Sequence, residues 1–137
     1  MNKVVIAREL LSNGILSRFI GYRQKGAILI CLRGEEKDFF ADKMIELQSI
    51  IGKMPKSFEQ DGMGDKAIVS LHYFKGGCDW YITERDVDDY TPQAFGMANL
   101  GYGGELGYIS IDELTQNNID LDLFWTPKVI AECNKQD

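Results

Sequence analysis

The residues with the greatest potential for chemistry lie in one stretch of the sequence, around the chain's single histidine. His72 is separated by one residue from Ser70 and by short intervals from Asp79 and Tyr81. A serine, a histidine and a carboxylate form a hydrolytic triad when the histidine lies between the other two at hydrogen-bond distance. On one predicted strand Ser70 and His72 would be about 7 Å apart. This spacing argues against a triad and favours an ordinary polar face of a sheet.

A β-hairpin over residues 66–84 is predicted to position these side chains. Two β-branched and aromatic runs, KAIVSLHYF and CDWYITE, flank a glycine turn, which is typical of a hairpin. The register predicts a buried face made of Leu71, Tyr73, Trp80 and Ile82. It predicts an exposed polar face that binds a partner or ligand through Ser70, His72, Asp79, Tyr81 and Thr83, with Glu84 beside them. Neighbours on a strand point to opposite faces, so Tyr81 is the aromatic side chain expected to be available.

Acidic side chains continue beyond the hairpin and raise the question of a metal site. Carboxylates of this acidic segment could bind Ca²⁺ or Mg²⁺; they belong to Asp79, Glu84, Asp86, Asp88 and Asp89. Their spacing is not that of an EF-hand loop, so a solvated charge run is favoured and no metal is predicted. The EQDGMGD segment, residues 59–65, contains glycines that permit tight turns. It is interpreted as a connector, with a ligand-binding loop as the alternative.

The cysteines do not form a zinc-binding pattern. Cys31, Cys78 and Cys133 are widely spaced and no CxxC pair exists, whereas a structural zinc site needs about four Cys or His ligands at short spacings. Three reduced thiols in a cytoplasmic protein are therefore expected. The glycine segment at residues 101–104 lacks the GxGxxG spacing of a dinucleotide site, and no cofactor is predicted.

Charge is distributed unevenly along the 137 residues. Residues 1–56 carry a net charge of +4 and residues 57–137 a net charge of −10, which gives −6 in total. The acidic part would repel phosphates, so direct nucleic-acid binding is not expected. No run of about 18 apolar residues is present, which argues against a membrane-spanning helix, and the charged N-terminal sequence does not resemble a signal peptide. A cytoplasmic protein is predicted.

The remaining patterns predict a single domain over residues 1–137. A helix is predicted over residues 38–52, because Phe40, Met44, Leu47 and Ile51 share one face. The apolar run AILICL, residues 27–32, is predicted as a buried strand. Further predicted elements are strands at 93–100 and 105–109, a short helix capped by Ser110 and Glu113, a strand at 121–125, and a last helix that begins at Thr126 and Pro127. The predicted fold class is α+β, an antiparallel β-sheet meander packed by a few helices.

Several sequence blocks between residues 54 and 128 occur together in one protein family. They are MPKSFEQDG, GDKAIVSLHYF, DWYITE, QAFGMANLG, ELGYISIDEL and LDLFWTPK. From about Ile45 to Lys128 the chain resembles the domain-of-unknown-function family 2958, whereas residues 1–40 form an N-terminal subregion outside the resemblance. The resemblance implies a cytoplasmic accessory protein of phages, plasmids and other mobile genetic elements. It implies no reaction.

These observations favour a non-enzymatic binding or accessory protein of a mobile genetic element. It would act through the polar face or the acidic segment, and its partner would be a protein or a small ligand that the sequence does not identify. Two alternatives stay open. One is a small hydrolase or transferase that uses His72 and nearby carboxylates. The other is an acidic inhibitor of a host defence protein.

Overall fold

Three helices precede an antiparallel sheet in the computed structural model, which describes residues 2–86 and 93–133. The α-helices are α1 (Lys3–Asn13), α2 (Tyr22–Cys31), α3 (Lys37–Lys53), α4 (Ile111–Gln116) and α5 (Ile130–Cys133). The strands are β1 (Ile68–Val69), β2 (Leu71–Lys75), β3 (Cys78–Arg85), β4 (Gln93–Asn99), β5 (Gly104–Ser110), β6 (Asp120–Leu121) and β7 (Lys128–Val129). One sheet has the antiparallel order β5-β4-β3-β2-β6, and β1 pairs with β7 in a second. The predicted α+β class with an antiparallel sheet is confirmed.

The N-terminal helices bury their apolar sides in the main core, which they share with the larger sheet. In α3 the side chains of Met44, Leu47 and Ile51 are buried, as the 3.6-residue periodicity predicts. Helix α1 begins at a side-chain cap, because Asn2 accepts a hydrogen bond from the Val4 amide at 2.7 Å. The helix predicted over residues 38–52 is therefore confirmed as α3. Its buried side chains belong to the main core, which covers one face of the larger sheet.

The predicted strand at residues 27–32 is wrong, because this run lies in helix α2. Ile28 is buried, whereas Ile30 is 69% exposed. A short apolar run has no periodicity that separates a strand from a helix. The helix forms because α2 packs beside α3 and buries one side only.

The C-terminal elements also differ from the prediction. The run 121–125 is a strand only at its first residue, because β6 ends at Leu121. Residues 128 and 129 form strand β7, which pairs with β1, so the last helix, α5, begins at Ile130 and not at Thr126 and Pro127. The pairing of β7 satisfies main-chain groups that the predicted helix would have satisfied within itself. The predicted start of α4 is confirmed, since Ser110 is its N-cap and the Ser110 hydroxyl accepts a hydrogen bond from the Glu113 amide at 3.2 Å.

The hairpin of β2 and β3 has the predicted register. Tyr73 lies opposite Trp80 and His72 lies opposite Tyr81. Tyr73 is fully buried in the main core, and its hydroxyl donates a hydrogen bond to the Phe19 carbonyl. Burial raises the pKa of the Tyr73 hydroxyl above its ordinary value. Trp80 is half-buried at the edge of the same core.

A second, smaller core covers the opposite face of the hairpin. Its members are Ala67, Val69, Tyr81, Met97, Trp125, Ile130 and Cys133. The indole N–H of Trp125 donates to the Val69 carbonyl at 3.0 Å, which holds the C-terminal segment over the sheet. The prediction of an exposed polar face with an available Tyr81 is therefore wrong: Tyr81 is 8% exposed. The physical reason is that the segment from Trp125 to Cys133 folds back and buries the side chains of Trp125, Ile130 and Cys133 against this face.

The cysteines and the acidic segment complete the comparison with the sequence. Cys31, Cys78 and Cys133 are free thiols, as predicted, and burial raises the pKa of Cys133. Asp88 and Asp89 of the acidic segment lie outside the described residues. In the described parts of the chain, no helix combines the length and apolar character needed to cross a membrane.

Candidate functional site

Each ring nitrogen of His72 contacts a carboxylate. Nε2 lies 2.8 Å from Oδ1 of Asp79, and Nδ1 lies 3.0 Å from Oδ2 of Asp122. The imidazole stacks nearly parallel to the Tyr81 ring, with centroids 4.9 Å apart, and the Trp125 ring lies at the same centroid distance. Pairing of β2 with β3 brings Asp79 to His72, while Asp122 arrives from the segment after β6, where its amide donates to the His72 carbonyl at 2.8 Å. We call His72, Asp79 and Asp122 the His72 cluster.

The geometry of the His72 cluster is suited to a structural role. Both ring nitrogens lie within hydrogen-bond distance of a carboxylate oxygen. Neither nitrogen is then left to accept a proton from a nucleophile. The sequence placed Asp79 near His72 but missed Asp122, which is 50 residues away. The one available signal was an aspartate between two leucines in a run that was interpreted as a strand.

The polar face of the hairpin is divided between two environments. Its buried members are Ser70, His72, Tyr81, Thr83 and Glu84, and its half-buried member is Asp79. His72 and Tyr81 lie beside Trp125 in the second core. Thr83 and Glu84 instead line a cavity further along the sheet. The structure therefore does not bring the six predicted residues together on one accessible surface.

A β-bulge in β3 places Glu84 in the same cavity as Thr83. Opposite β4, Ile82 pairs with Gly96 and Glu84 pairs with Phe95, so Thr83 is an extra residue without a partner in the ladder. Strict alternation would put Thr83 and Glu84 on opposite faces of the sheet. The extra residue shifts the register, and both side chains line one cavity. The alternation of residue types in the sequence did not reveal this shift.

The cavity, which we call the Phe58 pocket, has a volume of about 180 Å³. Apolar and aromatic side chains form much of its wall, and they are Phe58, Ala67, Phe95, Leu106, Tyr108 and Ile130. The polar side chains that line it are Ser57, Gln60, Asp61, Thr83 and Glu84. A small apolar cavity with a few convergent polar groups is the usual form of a ligand site. Two predicted site residues, Thr83 and Glu84, belong to it.

Glu84 is a buried carboxylate that has no cationic partner among the residues that the structure describes. The residue is only 5% exposed, and Oε1 accepts a hydrogen bond from the Phe58 amide at 2.6 Å. Oε2 lies 3.3 Å from the Thr83 hydroxyl, whose single hydrogen is also directed at the Phe95 carbonyl at 3.1 Å. No basic side chain within the described residues forms an ion pair with Glu84. A carboxylate has about four acceptor positions, so about two are left over.

The loop between α3 and β1 forms one side of the Phe58 pocket. The Gln60 side chain, which is 7% exposed, donates to the carbonyls of Ile68 and Thr83 at 3.0 and 2.9 Å and accepts from the Ile68 amide at 2.7 Å. These three bonds attach the loop to the sheet. Phe58 has a φ of 73°, which is rare for a bulky residue, and it is 71% exposed. Backbone strain of this kind occurs preferentially at binding sites. The connector interpretation of residues 59–65 did not anticipate this arrangement.

The Phe58 pocket and the His72 cluster differ in what they could bind. Both ring nitrogens of His72 already have carboxylate partners, whereas the pocket combines open volume with a buried carboxylate that has no basic partner among the described residues. Among the described residues, no three His, Cys, Asp or Glu side chains are grouped as metal ligands. The pocket is therefore the candidate functional site.

The fold and the pocket define a small α+β domain with an anionic cavity beside its sheet. A family model described as "Protein of unknown function (DUF2958)" matches residues 43–126. The chain therefore belongs to the DUF2958 family, and the resemblance seen in the sequence is confirmed. The matched range includes the pocket loop, strands β1 to β6 and Asp122, whereas α1 and α2 precede it. Comparison with curated proteins and with solved structures found no match.

Proposed function

We propose that this protein is a non-enzymatic binding protein and that the Phe58 pocket takes up a cationic group of its ligand or partner. The observation that carries the proposal is the burial of the Glu84 carboxylate, at 5% exposure, in an apolar cavity where no described residue supplies a basic partner. A buried charge is costly unless it is paired. A cation in the pocket would use the acceptor positions that the Phe58 amide and the Thr83 hydroxyl leave open.

The aromatic wall supports a cation of low hydration. Phe58, Phe95 and Tyr108 line the same cavity as Glu84, and aromatic faces attract cations over distances of about 6 Å. A guanidinium group is planar, weakly hydrated and able to stack on rings while it donates to a carboxylate. The net charge of −6 also steers cations toward the chain. A guanidinium is therefore the preferred occupant, and a primary amine is the second choice.

A pair of matched probes tests this proposal. N-acetyl-arginine N-methylamide carries the charge, and the citrulline analogue has nearly the same shape without it. In two-dimensional amide NMR titrations we expect the arginine probe to shift the signals of Phe58, Thr83 and Glu84 with a Kd of about 1 mM, the scale of a weak small-ligand complex. The citrulline probe should bind at least tenfold more weakly. Equal binding of both probes, or no binding of the arginine probe, would overturn the proposal.

Two charge-neutralising variants locate the site. Glu84→Gln keeps the side-chain size and an oxygen that can accept from the Phe58 amide, so the pocket should survive while the arginine probe loses at least tenfold in affinity. Glu35→Gln removes the same charge from an exposed residue between α2 and α3, and its affinity should equal that of the wild type. If both variants weaken binding equally, only long-range charge is involved and the pocket assignment fails.

The proposal extends to the cellular setting. Membership of the DUF2958 family, together with the resemblance of the sequence blocks to proteins of phages and plasmids, supports an accessory role in the cytoplasm for a mobile genetic element. Acid–base chemistry through His72 is not part of the proposal, because both ring nitrogens are bound to carboxylates. Deletion of the coding sequence from a mobile element that carries it, followed by transfer assays with a Glu84→Gln complement, tests this role. Full rescue by that complement would separate the role from the pocket.

A further inference from the structure

Within the part of the chain that the structure describes, strand β5 leaves one edge of the larger sheet unpaired. It is the outermost of the five strands, it is seven residues long, and no described segment pairs with its outer side. Its one charged residue is Glu105, and it has neither Pro nor Lys, the residues that usually protect an edge. Alternate residues of an edge strand direct their N–H and C=O groups outward. The edge is therefore able to accept another strand.

The same strand forms a wall of the Phe58 pocket. Leu106 and Tyr108 both line the cavity and are 58% and 61% exposed. Tyr108 pairs with Phe95, and Phe95 pairs with Glu84, so these three residues form one row across β5, β4 and β3. A strand added outside β5 would extend this row by one position. Its side chain at that position would point to the face on which the pocket opens.

The distance along this row suits one kind of side chain. Three strand spacings separate an added strand from β3, about 14 Å in total. An extended arginine, one hydrogen bond and the glutamate side chain together cover such a separation. A lysine is shorter and donates as a point charge rather than as a planar fork. The arginine would cross the Tyr108 ring, where its guanidinium can stack.

We propose that the partner of this protein is an extended peptide segment that adds to the outer edge of β5 and places an arginine in the Phe58 pocket. The inference rests on the proposed function, because it uses the same carboxylate. Main-chain hydrogen bonds to β5 supply affinity, and the pocket supplies side-chain selection, which is the general logic of strand addition. An apolar side chain two residues from the arginine would cover Leu106.

A second copy of this chain is the other occupant that an exposed edge could take. Its own β5, with the sequence GELGYIS, contains Glu105 and no basic residue. Pairing of two β5 strands would thus bring further negative charge to the edge and leave Glu84 without a cation. Charge complementarity therefore favours a basic peptide over self-association.

Backbone methylation of a short peptide tests strand addition separately from cation binding. The parent probe is the capped peptide Val-Thr-Arg-Thr-Val, in which the arginine and both valines share one face of a strand. One analogue is N-methylated at both threonines and the other at the arginine and the last valine, because these two sets of amides point to opposite sides of a strand. The capped arginine used above is the control for the pocket alone. Binding is measured by NMR titration, and oligomeric state by light scattering.

We expect the parent peptide to bind at least tenfold more tightly than capped arginine, and one methylated analogue, not both, to lose that gain. Amides on the outer side of β5 should become protected from hydrogen exchange when the parent peptide binds. If capped arginine binds but the parent and both analogues are equal to it, the pocket stands and strand addition is overturned. Equal loss in both analogues also overturns it. A dimer of the free protein with β5 amides already protected would assign the edge to a second copy and refute the proposal.

Discussion

Replacement of His72 by glutamine should destabilise the fold rather than abolish a reaction. Glutamine has a similar length and can form a hydrogen bond, but it lacks the second ring nitrogen and the ring that stacks on Tyr81 and lies tilted against Trp125. The variant would leave Asp79 and Asp122 without the imidazole that contacts both carboxylates. The segment after β6, which Asp122 attaches to the hairpin, would lose one side-chain contact with the sheet.

The size of the loss follows from the two bonds. Hydrogen bonds to charged groups contribute about 1.5–3 kcal/mol each, so two would give about 3–6 kcal/mol. The side chains of Asp79 and Asp122 are 35% and 24% exposed, and solvent screening reduces the value of such pairs. The expected decrease in the free energy of unfolding is therefore about 2–4 kcal/mol. The stacked ring contacts place the expected value in the upper part of this range.

Urea denaturation followed by tryptophan fluorescence measures the loss, with a double-mutant cycle that combines His72→Gln and Asp122→Asn. The two changes should be coupled by at least about 1 kcal/mol, because they remove the same bond. Asp120→Asn is the matched control: it removes the same charge from an exposed residue in β6 and should change stability by less than about 0.5 kcal/mol. A loss below about 1 kcal/mol for His72→Gln, or simple additivity in the cycle, would refute the structural role of the His72 cluster.

Two further predictions concern the backbone around the pocket. Gly96→Ala should lower the free energy of unfolding, measured by urea denaturation, by about 3 kcal/mol or more, because the new Cβ would lie 2.0 Å from the Tyr81 carbonyl oxygen. The control is Gly107→Ala on β5: Gly107 pairs with Gly96 and a Cβ there would meet no atom within 4 Å, so stability should be unchanged or slightly raised. Equal effects of the two changes would contradict the close approach of β3 and β4. Phe58→Gly should leave the free energy of unfolding unchanged or raise it by up to about 1 kcal/mol, since glycine tolerates a φ of 73°. The same substitution should weaken binding of the arginine probe. A loss of stability above about 1 kcal/mol would show instead that the exposed ring supports the fold.

The local patterns of the sequence were sufficient wherever one element determined its own structure. The apolar positions of α3, the glycine turn and register of the β2–β3 hairpin, and the Ser110 cap of α4 all depend on residues within one turn or one strand pair. Such interactions are encoded at short spacings. The family resemblance was likewise carried by contiguous blocks, and the model match over residues 43–126 confirms it.

Contacts between distant segments decided which of these side chains are accessible. Period-2 alternation correctly separated the two faces of the hairpin, but it contains no information on what covers each face. The second core forms because Trp125 and its neighbours fold back over Tyr81. The His72 cluster forms because Asp122, 50 residues further along the chain, contacts the His72 ring. Strict alternation would place Glu84 on the face opposite to Thr83, but one extra residue in β3 shifts the register, so that Glu84 lines the Phe58 pocket together with Thr83. The sequence by itself therefore determined helix α3, the cap of α4 and the hairpin register. The helical state of α2, the burial of the hairpin faces and the site depended on long-range packing, because the free energy of covering a surface belongs to both segments that meet there.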